Sequence, residues 1–170
     1  VSVIDTATNN VTAIIPVGNS PRGVAVTPDG KKVYVTNFFD DTISVIDAAK
    51  NKVTATIPVG DAPHGVSISP DGKKVCVPHS DVGNPSNNTI LIIDTATNEV
   101  EATVLVGVVP FGVAVTLDGK KVYVTNDDKT VLVIDTATNT VIATIPVGNN
   151  PRGVAISPDG KKVYVACDER

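Results

Sequence analysis

The chain has 170 residues, of which 42% are hydrophobic, with Val, Ile and Thr prominent and no Trp or Met, a composition that favours strands over helices. Its net charge of −4, with Lys and Arg scattered apart from the Lys-Lys pairs, excludes the concentrated basic face that nucleic acid requires. The longest apolar-looking stretch, Val104 to Val115, is interrupted by Gly107, Pro110 and Gly112 and is shorter than the ~20 residues of a bilayer span, so no transmembrane segment is expected.

In chain order, Val1–Val17 reads as two strands, beginning inside a repeat as an excised or processed piece would. The first full copy follows. Gly23–Thr27 is strand one, Pro28-Asp29-Gly30 a tight turn, Lys32–Thr36 strand two, Thr42–Asp47 strand three and Val53–Val59 strand four. The turn chemistry is explicit: Pro presets φ, Asp bonds its own backbone and Gly accepts a positive φ. Its Asp-Gly marker recurs at Asp29, Asp71, Asp118 and Asp159, at intervals of 42, 47 and 41 residues. Periods of this length with four short strands describe propeller blades, units that bury their apolar faces only by stacking on neighbours.

Pro16, Pro58 and Pro146 fall in the fourth strand, which must therefore be the outer edge, where a missing amide hydrogen is tolerated. Apolar residues lie on both faces of the inner strands, as in Val24-Ala25-Val26 and Val33-Tyr34-Val35, so each sheet is expected between two others. The small residues Ala25, Ser67, Ala114 and Ala155 fit where blades converge. Cys76 stands where other copies have Tyr34, Tyr123 and Tyr164, and Cys167 where they have Asn37 and Asn126. These are different heights in different repeats, so no disulfide is expected and Cys76 reads as a small buried apolar group.

Tyr34-Val35-Thr36-Asn37 and Tyr123-Val124-Thr125-Asn126, with the Ser2–Asn9 segment Ser-Val-Ile-Asp-Thr-Ala-Thr-Asn, resemble the YVTN β-propeller repeats over essentially the whole chain. Two copies depart from the motif, Cys76-Val77-Pro78-His79 and Tyr164-Val165-Ala166-Cys167, and Pro78 is expected to end its strand early. The resemblance implies an all-β propeller of four-stranded antiparallel blades and kinship with archaeal surface-layer and bacterial exported propellers, commonly of seven blades. It also implies an extracellular, cell-surface or periplasmic location.

The expected organisation is one propeller domain or segment, 1–170, with four blade equivalents: strands 3–4 of a blade in 1–18, blades at 19–60, 61–107 and 108–148, and strands 1–2 in 149–170. Joining the ends would complete the fourth blade. Across that join Val163 to Asp5 spans 12 steps, against 14 from Val33 to Asp47 and 13 from Val122 to Asp135, so the closing loop would be slightly short. A four-bladed monomer, an eight-bladed ring of two chains and a segment of a larger ring all fit, with association or a larger parent preferred.

Strand direction sorts the loops onto two rims. On one rim the Asp-Gly-Lys-Lys and Asp-Thr-Ala-Thr-Asn turns repeat and read as structural. The other carries the differences: the residue before the first-strand glycine is Arg22, His64, Phe111 or Arg152, and the second loops are Asn37–Asp41, His79–Asn88, Asn126–Lys129 and Cys167–Arg170. Binding residues concentrate on such loops. Arg22, His64, Phe111 and Arg152 are therefore candidate ligand-binding residues at the channel mouth, the arginines suited to carboxylate or phosphate. Phe38, Phe39, Asp40, Asp41, His79 and Asp81 are candidate partner-binding residues.

His64, His79 and Asp81 have metal-ligand chemistry but no ligand spacing, and the Asp-Thr-Ala-Thr-Asn turns lack the carboxylate series of a Ca²⁺ loop, so no metal or cofactor is expected. No Gly-x-Ser-x-Gly elbow, phosphate loop, His-Glu-x-x-His or haem-attachment motif occurs. The expected function is a non-enzymatic scaffold or recognition module, anchored by its three phenylalanines, that binds a protein or cell-surface partner, with possible self-association into a larger ring. The alternative is a lactonase-like or oxidoreductase-like enzyme, or a small-anion or metal binder, with its site at the channel mouth.

Overall fold

Alternating β-branched residues between Asp-Gly turns build a run of antiparallel ladders, seen in a computed structural model that describes residues 1–81 and 83–168. The strands are β1 (Ser2–Asp5), β2 (Asn10–Ile14), β3 (Pro21–Val26), β4 (Lys32–Asn37), β5 (Thr42–Asp47) and β6 (Lys52–Pro58). They continue as β7 (Ser67–Ile68), β8 (Lys74–His79), β9 (Thr89–Asp94), β10 (Val100–Leu105), β11 (Pro110–Val115), β12 (Lys121–Asn126), β13 (Thr130–Asp135), β14 (Thr140–Pro146), β15 (Pro151–Ile156) and β16 (Val163–Cys167). Among the described residues these form three four-stranded sheets, β3-β4-β5-β6, β7-β8-β9-β10 and β11-β12-β13-β14, with the pairs β1-β2 and β15-β16 apart. Among the described residues no helix is long and apolar enough to cross a membrane.

The four-stranded sheets are the first, second and third blades, stacked face to face in chain order. Between the first and second, Tyr34, Ile43, Val45 and Ile57 meet Val75, Val77, Leu91 and Ile93. Cys76, Ile90, Ile92 and Val104 of the second then meet Val113, Val122, Val124 and Ile134 of the third. Val1 and Val3 pack on Val35 and Ile46 at the back of the first blade. First strands contact one another at the inner end, β3 with β7, β7 with β11 and β11 with β15. Pro58 and Pro146 end β6 and β14, the outer strands of their sheets, where no ladder needs their amides.

The β1-β2 and β15-β16 pairs lie at the two ends of this stack as separate sheets, and among the described residues they do not join into a fourth blade. Ile4, the counterpart of buried Ile46, is 57% exposed there, and Tyr164, the counterpart of Tyr34, is 59% exposed.

Both repeated turns sit on one rim and are closed by their own side chains. Thr27 Oγ1 donates to Asp29 Oδ1 at 2.6 Å, and Gly30 takes φ +70°. In the second turn Asp5 Oδ1 accepts from the amides of Ala7 and Thr8. These hydrogen bonds hold the Asp5 and Asp29 carboxyls below the usual carboxylate range, the Thr8 amide and the Thr27 hydroxyl being the leading causes.

The Thr of the repeated Tyr-Val-Thr-Asn links neighbouring blades. A bulge in β3 leaves the Gly23 amide outside the ladder. That amide donates to Thr36 Oγ1 at 2.8 Å, and the same hydroxyl donates to His64 O of the second blade at 2.6 Å. Gly112, Thr125 and Arg152 O repeat the relay from the third blade to β15, at 2.8 and 3.0 Å. A Cβ on Gly112 would lie 2.2 Å from Arg152 O, so the close approach of the sheets requires glycine there.

Thr36→Val or Thr125→Val is expected to lower stability by about 1–3 kcal/mol by leaving an amide and a carbonyl without their partner. Urea denaturation measures it, and a loss below about 0.5 kcal/mol would refute the relay's importance.

Pro78 occupies the Thr position in the second blade, and here the sequence expectation is corrected. β8 runs through Pro78 to His79, with Pro78 opposite Ile90 and His79 opposite Thr89. The shortened strand is its neighbour β7, only Ser67–Ile68. Pro78 O accepts from His64 N on that side, where its missing amide would also have pointed, so the loss falls on the β7 ladder and spares β9. With no hydroxyl to use, Gly65 N donates directly to Phe111 O at 3.0 Å.

Candidate functional site: an arginine and aromatic ladder

Arg22, Phe111 and Arg152, each the residue before a first-strand glycine, lie in a bulge, and bulges re-aim side chains. Because each glycine lets its sheet approach the next blade at that residue's carbonyl, successive copies come into register around the inner end. Arg22, His64, Phe111 and Arg152 are brought together in this way, and Phe38 from the loop after β4 completes the row.

The order is Arg22, Phe38, His64, Phe111, Arg152. The Arg22 guanidinium lies 4.1 Å from the Phe38 centroid, and Phe38 meets His64 edge to face at 5.0 Å. His64 meets Phe111 at 4.3 Å, and the Arg152 guanidinium lies 3.6 Å from the Phe111 centroid. Cation–π contacts of this kind contribute about 0.5–1 kcal/mol each when exposed. Phe39, 72% exposed, stands edge-on to Phe38 at 5.1 Å and projects beyond the ladder.

His64 is buried at the centre, and burial, with Arg22 and Arg152 as lesser causes, pushes its pKa down to about 4. The imidazole is thus neutral at pH 7, and the ladder's positive charge resides on its two ends. Arg152 has a loose surface partner in Asp127 at 3.9 Å, an exposed geometry that contributes little. Among the described residues no acid pairs with Arg22.

The other candidates hold loops together. Asp40 accepts from the amide and side chain of Asn19, both at 2.8 Å, clipping the two variable loops of the first blade to each other. Asp41 Oδ1 accepts from Ala62 N at 3.0 Å. Asp81 closes its own turn, accepting from Gly83 N, Asn84 N and Asn87 Nδ2, and the Asn87 bond is the main reason its carboxyl lies below the usual range. The His79 ring lies against Gly60. Among the described residues no group of three or more His, Cys, Asp or Glu could hold a metal ion. Glu169 and Arg170 of the fourth variable loop lie outside the described residues, as does Val82.

The sequence named four of the five ladder members as channel-mouth residues and placed Phe38 on the same rim as a partner contact. It did not show that Phe38 stacks into the row, because loop conformation after β4 sets that. The bridging roles of Thr36 and Thr125 were also missed, although their recurrence in the motif was the available signal.

Residues 1–74 match the YNCE-like beta-propeller family. Among solved structures the chain is similar to Kuenenia stuttgartiensis hydrazine synthase, with 34% identity and a TM-score of 0.87, over 95% of this chain and 47% of that one. It also resembles a functionally unknown protein from Desulfotomaculum acetoxidans DSM 771, with 24% identity and a TM-score of 0.80, over 94% of this chain and 52% of that one, a likeness of fold alone. The chain thus spans about half the length of both. No curated protein matches it. With its stacked four-stranded antiparallel sheets, the chain is an all-β protein of the β-propeller type.

Proposed function

We propose that this protein is a non-enzymatic recognition module of the YVTN type, presented extracellularly or at a cell surface, that binds a protein or cell-surface partner through its variable rim. The observation that carries this reading is the ladder: two guanidiniums bracket three rings, with Phe39 standing free beside them. Exposed aromatic and arginine side chains on a rigid scaffold are the residue types that dominate interface energetics. The guanidiniums suit an acidic partner. No nucleophile and base stand together in the ladder, since its one titratable ring is held neutral between two phenylalanines.

Binding of the protein to purified cell envelopes and to acidic peptides tests this, with Arg22→Gln plus Phe39→Ala against the opposite-rim control Lys31→Ala. The double variant is expected to bind at least roughly tenfold more weakly with its melting temperature unchanged, the control to bind as wild type. Equal binding by all three would overturn the reading. If only free carboxylates or phosphates bind, competing through Arg22 and Arg152, the small-anion alternative replaces it.

A further inference from the structure

The two complete seams between blades differ at four core positions, with Cys76, Ile92, Val104 and Val115 in place of Tyr34, Val45, Ile57 and Ile68, and the hollow at the second seam reaches inward to three of them. At the first seam Tyr34 is fully buried among Ile43, Val45, Val75 and Ile93, and its hydroxyl reaches 3.5 Å from Asn98 Oδ1. The hollow of about 330 Å³ at this seam on the repeated-turn rim is lined by turn residues such as Thr27, Pro28, Lys32 and Thr95, and neither Tyr34 nor its core neighbours line it. At the second seam Cys76 holds the tyrosine position and Asn139 the position of Asn98. There the hollow continues inward as a cavity of about 290 Å³ reaching Cys76, Ile92 and Val115, with Asn139 on its wall and Lys74 bound to Glu101 at its mouth.

We propose that this cavity is a binding site for a small phenol, which takes the place between the second and third blades that the Tyr34 side chain fills between the first and second. Its inner end is apolar, formed by Cys76, Ile92 and Val115, and the side-chain amide of Asn139, at the position of the Asn98 that meets the Tyr34 hydroxyl, is on its lining. The ring would lie against the Cys76 sulfur and the Ile92 and Val115 methyls, contacts favourable to an aromatic. The phenol enters and leaves without covalent chemistry, because burial pushes the Cys76 thiol up to about 12 and leaves it protonated and unreactive at neutral pH.

Titration with 4-methylphenol, the tyrosine side chain itself, followed by NMR and calorimetry, tests the proposal. The wild type is expected to bind one equivalent saturably, with ligand contacts to the Ile92 and Val115 methyls, and to bind toluene several-fold more weakly for want of the hydroxyl. Cys76→Ala, which leaves the slot open, should keep the site. Cys76→Tyr should melt at a higher temperature and lose binding by at least roughly tenfold. No saturable binding by the wild type, binding without contacts to those methyls, or undiminished binding by folded Cys76→Tyr would each overturn the assignment. If Cys76→Tyr does not fold, the methyl contacts in the wild type decide it.

Discussion

Tyr34→Ala is expected to destabilise the protein by roughly 3–5 kcal/mol, whereas Tyr164→Ala, at the same place in the last repeat, should change stability by less than about 0.5 kcal/mol. Tyr34 is fully buried at the seam of two blades, and truncation removes a ring from contact with both sheets at once. Neither neighbour can collapse into the space, since each is held in register by its own ladder and by the Thr36 relay. Tyr164 projects from the last pair of strands at 59% exposure and covers no complete neighbouring blade. Paired urea melts measure the contrast. Similar losses for the two variants would mean that the seams are not where the stacking energy resides.

Acidification from pH 7 to pH 4 should cost up to roughly 3 kcal/mol of stability through His64 alone. Its pKa is about 4 in the folded chain, against ~6.5 when unfolded, so between those values the unfolded chain takes up a proton that the folded chain refuses. The contribution is therefore complete above pH 6.5 and is lost as the pH falls towards 4. The turn carboxylates Asp5, Asp29, Asp47, Asp71, Asp94, Asp118, Asp135 and Asp159 are likewise held below their ordinary range. Their contribution is lost only as the pH falls below about 4, a separate window. His64→Phe preserves an aromatic ring between Phe38 and Phe111 and should flatten the stability profile between pH 6.5 and 4. An unchanged slope in that variant would show that the imidazole is not shielded as described.

The fold was legible because a repeated sequence forces repeated local structure. Thr42–Asp47 matches β5 residue for residue, and Pro58 and Pro146 mark the outer edges, whereas Pro16 lies beyond the end of β2. Reading Pro78 as a strand terminator failed because a proline removes one donor on one side only, and β8 keeps its ladder to β9 on the other. The candidate site was half legible. The residue before each first-strand glycine was visible as the point of difference, but Asp40 and Asp41 turned out to bond neighbouring loops and Asp81 its own turn.

By itself the sequence determined the blade, since period, alternation and turn residues act over a few positions and need no distant partner. The tertiary structure alone decided what the differences between copies mean: that Arg22, Phe38, His64, Phe111 and Arg152 stack in one row, and that the hollow at the second seam reaches the cysteine standing in place of a tyrosine. Those outcomes depend on contacts between residues distant in the chain, such as Phe111 and Arg152, and only the packing of one sheet on the next determines them.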